Sequence, residues 1–328
     1  MLNGQESLRG EVVLHDAGVH GIPIVNVENA CASGATALWS AVRAVRSGEF
    51  EVALAVGAEK MFVGDTRRTL AALRTSADVE ATAGQGLQFV AIYAMRLQRY
   101  LDDGVLAPEH LARVTTKNRQ NGARNPNAQF REPMSEQDVL DARPIAGPLT
   151  LPMVSAISDG AAAVLVTATP PADRRVAVRA SKLVTGTVDA LGEAAVTRAV
   201  SLAYEEAELG PDDLSVAEVH DTVGPAEFMR YVELALCDEN EVGSFFESGA
   251  TSRGGRVPVN PSGGLTARGH PAGATGLAQV VELLEQLRGT AGERQVENPR
   301  IGLAQNSGGW IDGDTAVCGV HILEREAA

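Results

Sequence analysis

Short apolar runs alternate along this chain with longer stretches in which apolar residues recur at helical spacing. Residues 22–27 form a β-branched run that feeds into a small-residue segment, Ala30 to Leu38, continuing to Arg46 with helical periodicity. Gly48 ends that helix, and 52–57 has the continuous apolar character of a strand covered on both faces. A helix is predicted over 87–101 and a buried strand over 160–166. Strands over 176–183 and 216–219 and helices over 193–209 and 225–237 repeat the alternation in the second half. Together they predict an α/β protein with a mostly parallel sheet.

The region from about 65 to 149 is less regular, with a polar, loop-like segment after its one clear helix. Residues 113–131 contain Arg113, Lys117, Arg119, Arg124 and Arg131 and no acidic residue. Such a stretch is either a solvated face or a place to hold a phosphate-bearing ligand. Pro170 and Pro171 read as a linker, dividing the chain into 1–172 and 173–328. No residue-level repeat relates the two parts.

Composition narrows the class. The 328 residues carry a formal net charge of −14, which excludes a general nucleic-acid coat. Hydrophobic residues make up 45%, so the chain can bury a sizeable core. Cys31, Cys237 and Cys318 are too few for a disulfide framework and lack the spacing that structural zinc needs, so no metal is expected. A reducing, cytoplasmic compartment is expected, since Met1 to Gly10 shows no secretory signal pattern and the apolar stretches are too short to span a bilayer.

Three positions point to chemistry. Cys31 stands where a strand gives way to a helix, and a helix N-terminus is expected to lower its thiol pKa and prime a nucleophile; a buried small hydrophobe is the plainer reading. Ala32, Ser33, Gly34 and Ala35 leave room for backbone or an acyl group to approach. His270 lies in a loop over 260–276 that glycine and proline shape, leading into a helix near Ala274, where it could serve as a general base. His220 follows a predicted strand, where α/β sheets place their sites. Asn306 and Gly308 sit in a third glycine-containing turn over 305–310.

In this order the motifs resemble those of the thiolase superfamily along nearly the whole chain. Asn29-Ala30-Cys31-Ala32-Ser33-Gly34 is similar to the nucleophile motif, and Ser158-Asp159-Gly160 to the end of the first domain. His220-Asp221 marks the branch of sterol-carrier-protein-x and archaeal thiolases, and the segment from Gly269 to Gly276 resembles the loop-histidine motif. The resemblance implies a five-layer α/β/α/β/α fold of two similar halves, a homodimer, and acyl-coenzyme A substrates with no permanently bound cofactor. It implies catalysis by Cys31, His220 and His270 through an acyl-enzyme. Backbone N–H groups at Cys31 and near Gly308 would form an oxyanion hole, with Asn306 in the second-substrate turn. The basic residues from Arg113 to Arg131 fall in the family's coenzyme-binding loop region.

Two departures stand out. Positions where relatives carry a second catalytic cysteine hold Thr222 and Asn306, neither of which titrates near neutrality. The family has further elements before its nucleophile than the 30 residues present here, so a truncated first half with exposed apolar edges, and poor folding of the isolated chain, are expected. The function implied is acyl-coenzyme A C-acyltransfer. The alternatives are a lyase of the steroid-side-chain aldolase type, or a non-catalytic acyl-coenzyme A-binding subunit. A small zinc-ribbon/OB-fold partner is implied by resemblance alone.

Overall fold

A computed structural model describes residues 7–82, 88–169, 176–187 and 194–326. In the first half the elements are α1 (Arg9–Asp16), α2 (Ser33–Arg46), β1 (Val52–Glu59), α3 (Thr66–Arg74), α4 (Phe89–Asp102), α5 (Pro108–Ala123), α6 (Glu136–Leu140), β2 (Pro144–Ala146), β3 (Leu149–Thr150) and β4 (Gly160–Thr167). The second half contributes β5 (Val176–Thr185), α7 (Ala195–Ala207), β6 (Val216–Glu218), α8 (Glu227–Glu233), α9 (Val242–Glu247), α10 (Gly264–Arg268), α11 (Ala272–Leu287), β7 (Ile301–Ile311) and β8 (Asp314–Arg325). The expected linker around Pro170 lies outside the described residues.

Two helices made of small residues sit at the centre. α2 and α11 pack on each other, against β1 and β4 on one side and against the four-stranded sheet β5-β8-β7-β6 on the other. Their close approach needs glycine. A Cβ on Gly34 would lie 3.0 Å from the Gly273 carbonyl, and one on Gly276 would lie 2.5 Å from the Ala35 nitrogen. α7 covers the far side of β5 and β8. Sheet, helix pair, sheet and helix make four layers among the described residues. On the outer face of β1 and β4, Val52, Leu54 and Leu165 are exposed. No membrane-spanning helix is found there either: none of the described helices is long and apolar enough.

Several sequence expectations are corrected. The sheets are mainly antiparallel, and among the described strands only β6 and β7 pair in parallel. The reason is local: Asp312 and Gly313, both at positive φ, close a tight hairpin between β7 and β8, and β5 then lies antiparallel on β8. Residues 22–27 are not a strand, because no described strand lies alongside to take their hydrogen bonds, and Val25 is exposed. Residues 305–310 are strand interior in β7 rather than a turn, paired with β8 from Ile301 to Ile311.

The loop-like reading of 113–131 fails most instructively, since α5 runs through it to Ala123. Lys117, Asn118, Arg119 and Asn121 on this helix are buried. Leu111, Ala112 and Val114 bury the first turns of α5 in the apolar core, but past Val114 its inward positions are polar, so the apolar periodicity stops midway along the helix. Lys117 Nζ donates to the Val259 carbonyl at 2.8 Å and pairs with Glu227 at 2.6 Å, while Asn118 bridges Asp221 and Glu227.

Candidate active site

The tight packing of α2 on α11 brings their N-terminal ends together. Cys31 lies just before α2 and His270 just before α11, with Cys31 Sγ 3.2 Å from His270 Nε2. The cysteine turn is held from both sides. Asn29 N–H donates to Ser33 Oγ, the Asn29 amide donates to Thr36 Oγ1, and Ala30 adopts a left-handed φ of 49°. Gly308 on β7 presses against this turn: a Cβ there would lie 2.2 Å from the Asn29 carbonyl. Glycine at 308 is therefore required by close approach.

His270 is oriented by two hydroxyls. Its backbone N–H donates to Ser158 Oγ at 3.0 Å, and Gly269 before it has a φ of 103°. Thr275 Oγ1 donates to the Pro271 carbonyl, so at 2.8 Å it accepts from His270 Nδ1–H. That leaves the Nε2 lone pair facing the Cys31 thiol, the geometry of a base poised on a nucleophile. Burial pushes the His270 pKa down to about 3, with the nearby Arg268 charge adding to the shift, so the ring is neutral.

The thiol itself corrects the expectation of a lowered pKa. Burial, then the charges of Glu59 and Glu28, push Cys31 up to about 12, and only a backbone hydrogen bond opposes them. Cys31 is thus a neutral thiol, and a neutral imidazole, that of His270, is in contact with it. His220 completes the group. It follows β6, its ring centroid is 5.1 Å from that of His270, and the planes are near perpendicular. The Asn306 amide donates to His220 Nδ1 at 3.1 Å, so Nε2–H donates to Thr222 Oγ1 at 2.6 Å. Burial first, then His270 and two arginines, hold the His220 pKa well below the ordinary range.

A cavity of about 160 Å³ opens over these groups. Cys31, His220, His270, Thr222 and Gly308 line it, with Met61, Leu73, Phe89, Ile92, Tyr93 and Ile157 giving it an apolar wall. Arg74 is its one cationic lining residue, and none of the five basic residues from Arg113 to Arg131 lines it. Arg113 is paired with Glu136 and Glu247, Lys117 with Glu227, and Arg119 stacks over Phe130. Arg124 and Arg131 are exposed. Cys318 is buried in β8 and Cys237 is half-buried, both apart from the cavity. Sequence reading missed Thr275, which lay inside the quoted loop motif, and Arg74, for which no local signal existed.

Comparison with known proteins places the chain in a family. The family profile for the thiolase N-terminal domain matches residues 3–169, and that for a thiolase C-terminal domain-like unit matches 178–324. The chain is 40% identical over 331 residues to an acetyl-CoA acetyltransferase of Methanothermobacter thermautotrophicus, covering 98% of this chain and 85% of that one. It is 32% identical to sterol carrier protein 2 of Rattus norvegicus, covering 93% of this chain and 60% of that one. In structure it resembles the Ltp2-ChsH2(DUF35) aldolase, with a TM-score of 0.73 at 22% identity, over 92% of this chain and 79% of that one. With both domains matched and relatives at 40% and 32% identity over nearly the whole chain, the chain belongs to the thiolase superfamily, in its sterol-carrier-protein-2-thiolase-like branch.

Proposed function

We propose that this chain is an acyl-coenzyme A C-acyltransferase that works through a thioester on Cys31. The observation that carries this reading is the 3.2 Å contact of the Cys31 thiol with the unprotonated Nε2 of His270 beneath an apolar cavity. In the degradative direction His270 takes the thiol proton, and sulfur attacks the 3-oxo carbon of a 3-oxoacyl-coenzyme A. The bond between that carbon and the α-carbon breaks, the electron pair ends on the α-carbon, and the proton His270 took from Cys31 is delivered there, leaving His270 neutral again. Coenzyme A then attacks the Cys31 thioester, passing its own thiol proton to His270 and releasing Cys31.

Moving that proton from His270 to the α-carbon needs a relay, and Thr222 and Asn306 stand where relatives carry a thiol. His220 is the titratable group left beside the reacting atoms, and its Nε2–H also suits polarisation of a thioester oxygen. Backbone N–H groups at Cys31 and Gly308 serve the acyl oxyanion in this reading. Arg124 and Arg131 are the members of the basic segment open to coenzyme phosphates, because Arg113 and Lys117 have carboxylate partners. A cytoplasmic homodimer aided by a small zinc-ribbon/OB-fold partner belongs to the same proposal.

The test is intact-mass analysis of the chain after exposure to a 3-oxoacyl-coenzyme A and to acetyl-coenzyme A. An acyl adduct that disappears in Cys31→Ala is expected, and absence of any adduct would overturn the reading. Carbon–carbon cleavage that survives in Cys31→Ala would establish the aldolase alternative instead.

A further inference from the structure

The three side chains at the centre of the site also satisfy the demands of a quite different ligand. One ligand atom from each of Cys31, His220 and His270 lies within 4.8 Å of the other two, and among the described residues no other such group of three occurs. We propose that Cys31, His220 and His270 form a binding site for a thiophilic divalent cation such as zinc, whose occupancy excludes acyl thioesters.

The donor set is one sulfur and two imidazole nitrogens, with the cavity supplying an open fourth position for water. That is the composition and openness preferred by tetrahedral zinc. The surroundings are arranged to support it. His270 already presents Nε2 toward Cys31 and spends Nδ1–H on Thr275, the second partner a metal-bound imidazole needs. His220 offers Nε2, currently on Thr222, once its proton moves to Nδ1. Asn306 then has a role that the resting site leaves open. Its Oδ1 is buried without a partner, in a side chain only 1% exposed. Turning that amide over sets Oδ1 against His220 Nδ1–H and fixes the metal-binding tautomer.

The protons balance without any redox step. The metal–sulfur bond forms as the Cys31 thiol proton leaves to solvent, and the His220 proton passes from Nε2 to Nδ1. The cation is an occupant that blocks the nucleophile, since the acyl transfer proposed above needs a free sulfur.

Cobalt(II) titration of the full chain tests this directly, because cobalt replaces zinc in such sites and thiolate ligation gives a charge-transfer band. One equivalent is expected to bind with that band, and zinc is expected to displace it. Cys31→Ala should lose the band while keeping the unliganded chain's thermal unfolding profile. His220→Ala and His270→Ala should each weaken binding by about 10- to 100-fold, and Asn306→Ala by about tenfold with the band retained. No band in the unsubstituted chain, a band that persists in Cys31→Ala, or unchanged affinity in both histidine variants would overturn the site. A chain that binds cobalt in this way yet forms no acyl adduct would keep the metal site and lose the acyltransferase reading, so the two fail separately.

Discussion

At Cys31 two opposing effects differ enough in size to decide the outcome. A helix N-terminus favours a thiolate by about 0.3–1 kcal/mol at an exposed site. The rise from 9.0 to about 12 imposed by burial and two carboxylates corresponds to roughly 4 kcal/mol at about 1.36 kcal/mol for each pKa unit. The resting nucleophile is therefore a neutral thiol beside a neutral imidazole. Alkylation of Cys31 by iodoacetamide should keep rising with pH between roughly 7 and 9, following the thiolate fraction; a plateau reached below pH 7 would show a preformed thiolate instead. In the proposed acyl transfer His270 is the base, so His270→Gln should slow adduct formation by about 10² to 10⁴, measured by rapid-quench mass analysis. The residue types were legible in the sequence because motif and order sufficed to name them. Their ionisation was not, because Glu59, the second largest influence on Cys31, lies 28 positions away.

The elements explain how such distant residues meet. Cys31 and His270 are 239 positions apart, and glycines at the α2–α11 crossing allow the two helix starts to converge. Gly276 is the sharpest case, since a Cβ there would also fall 2.8 Å from Asn306 Oδ1. Gly276→Ala should cost about 1–3 kcal/mol by overpacking, read from urea unfolding, and should slow Cys31 acylation because it pushes α2 and Asn306 away from the site. Unchanged stability together with unchanged acylation would contradict this account. The small-residue helix and the start of α11 were visible along the chain within two or three residues of their expected bounds, whereas the loop expected over 260–276 holds α10 at 264–268, its glycines at 263 and 264 taking positive φ to turn the chain into that helix. α5 was not visible because its inward face turns polar after Val114, so the apolar periodicity was too short to follow. β7 was read as a turn because Gly308 and Gly309 usually mark turns, whereas here glycine at 308 admits the cysteine turn.

For the whole molecule, the two halves are unequal: a four-stranded sheet carries α7 on its far side, while β1 and β4 form a two-stranded sheet with an exposed outer face. Val52, Leu54 and Leu165 lie on that face, and Leu54 pairs directly with Leu165. Two strands with an uncovered apolar face favour association. The chain is therefore expected to self-associate with rising concentration in sedimentation velocity, and Leu54→Asp with Leu165→Asp to reduce that association while leaving Cys31 acylation intact; a monomer at every concentration, or no change in the variant, would contradict this. The sequence by itself pointed to the family, to candidate site residues, and to the central helices α2 and α11 with strands β1, β4, β5 and β6, because these follow from motif, spacing and local periodicity. Strand direction, the burial of α5, the neutral state of Cys31 and His270, and the cavity with Arg74 at its wall were decided only by tertiary structure. Each of those depends on which distant groups become neighbours, and that is set by packing rather than by any local run of residues.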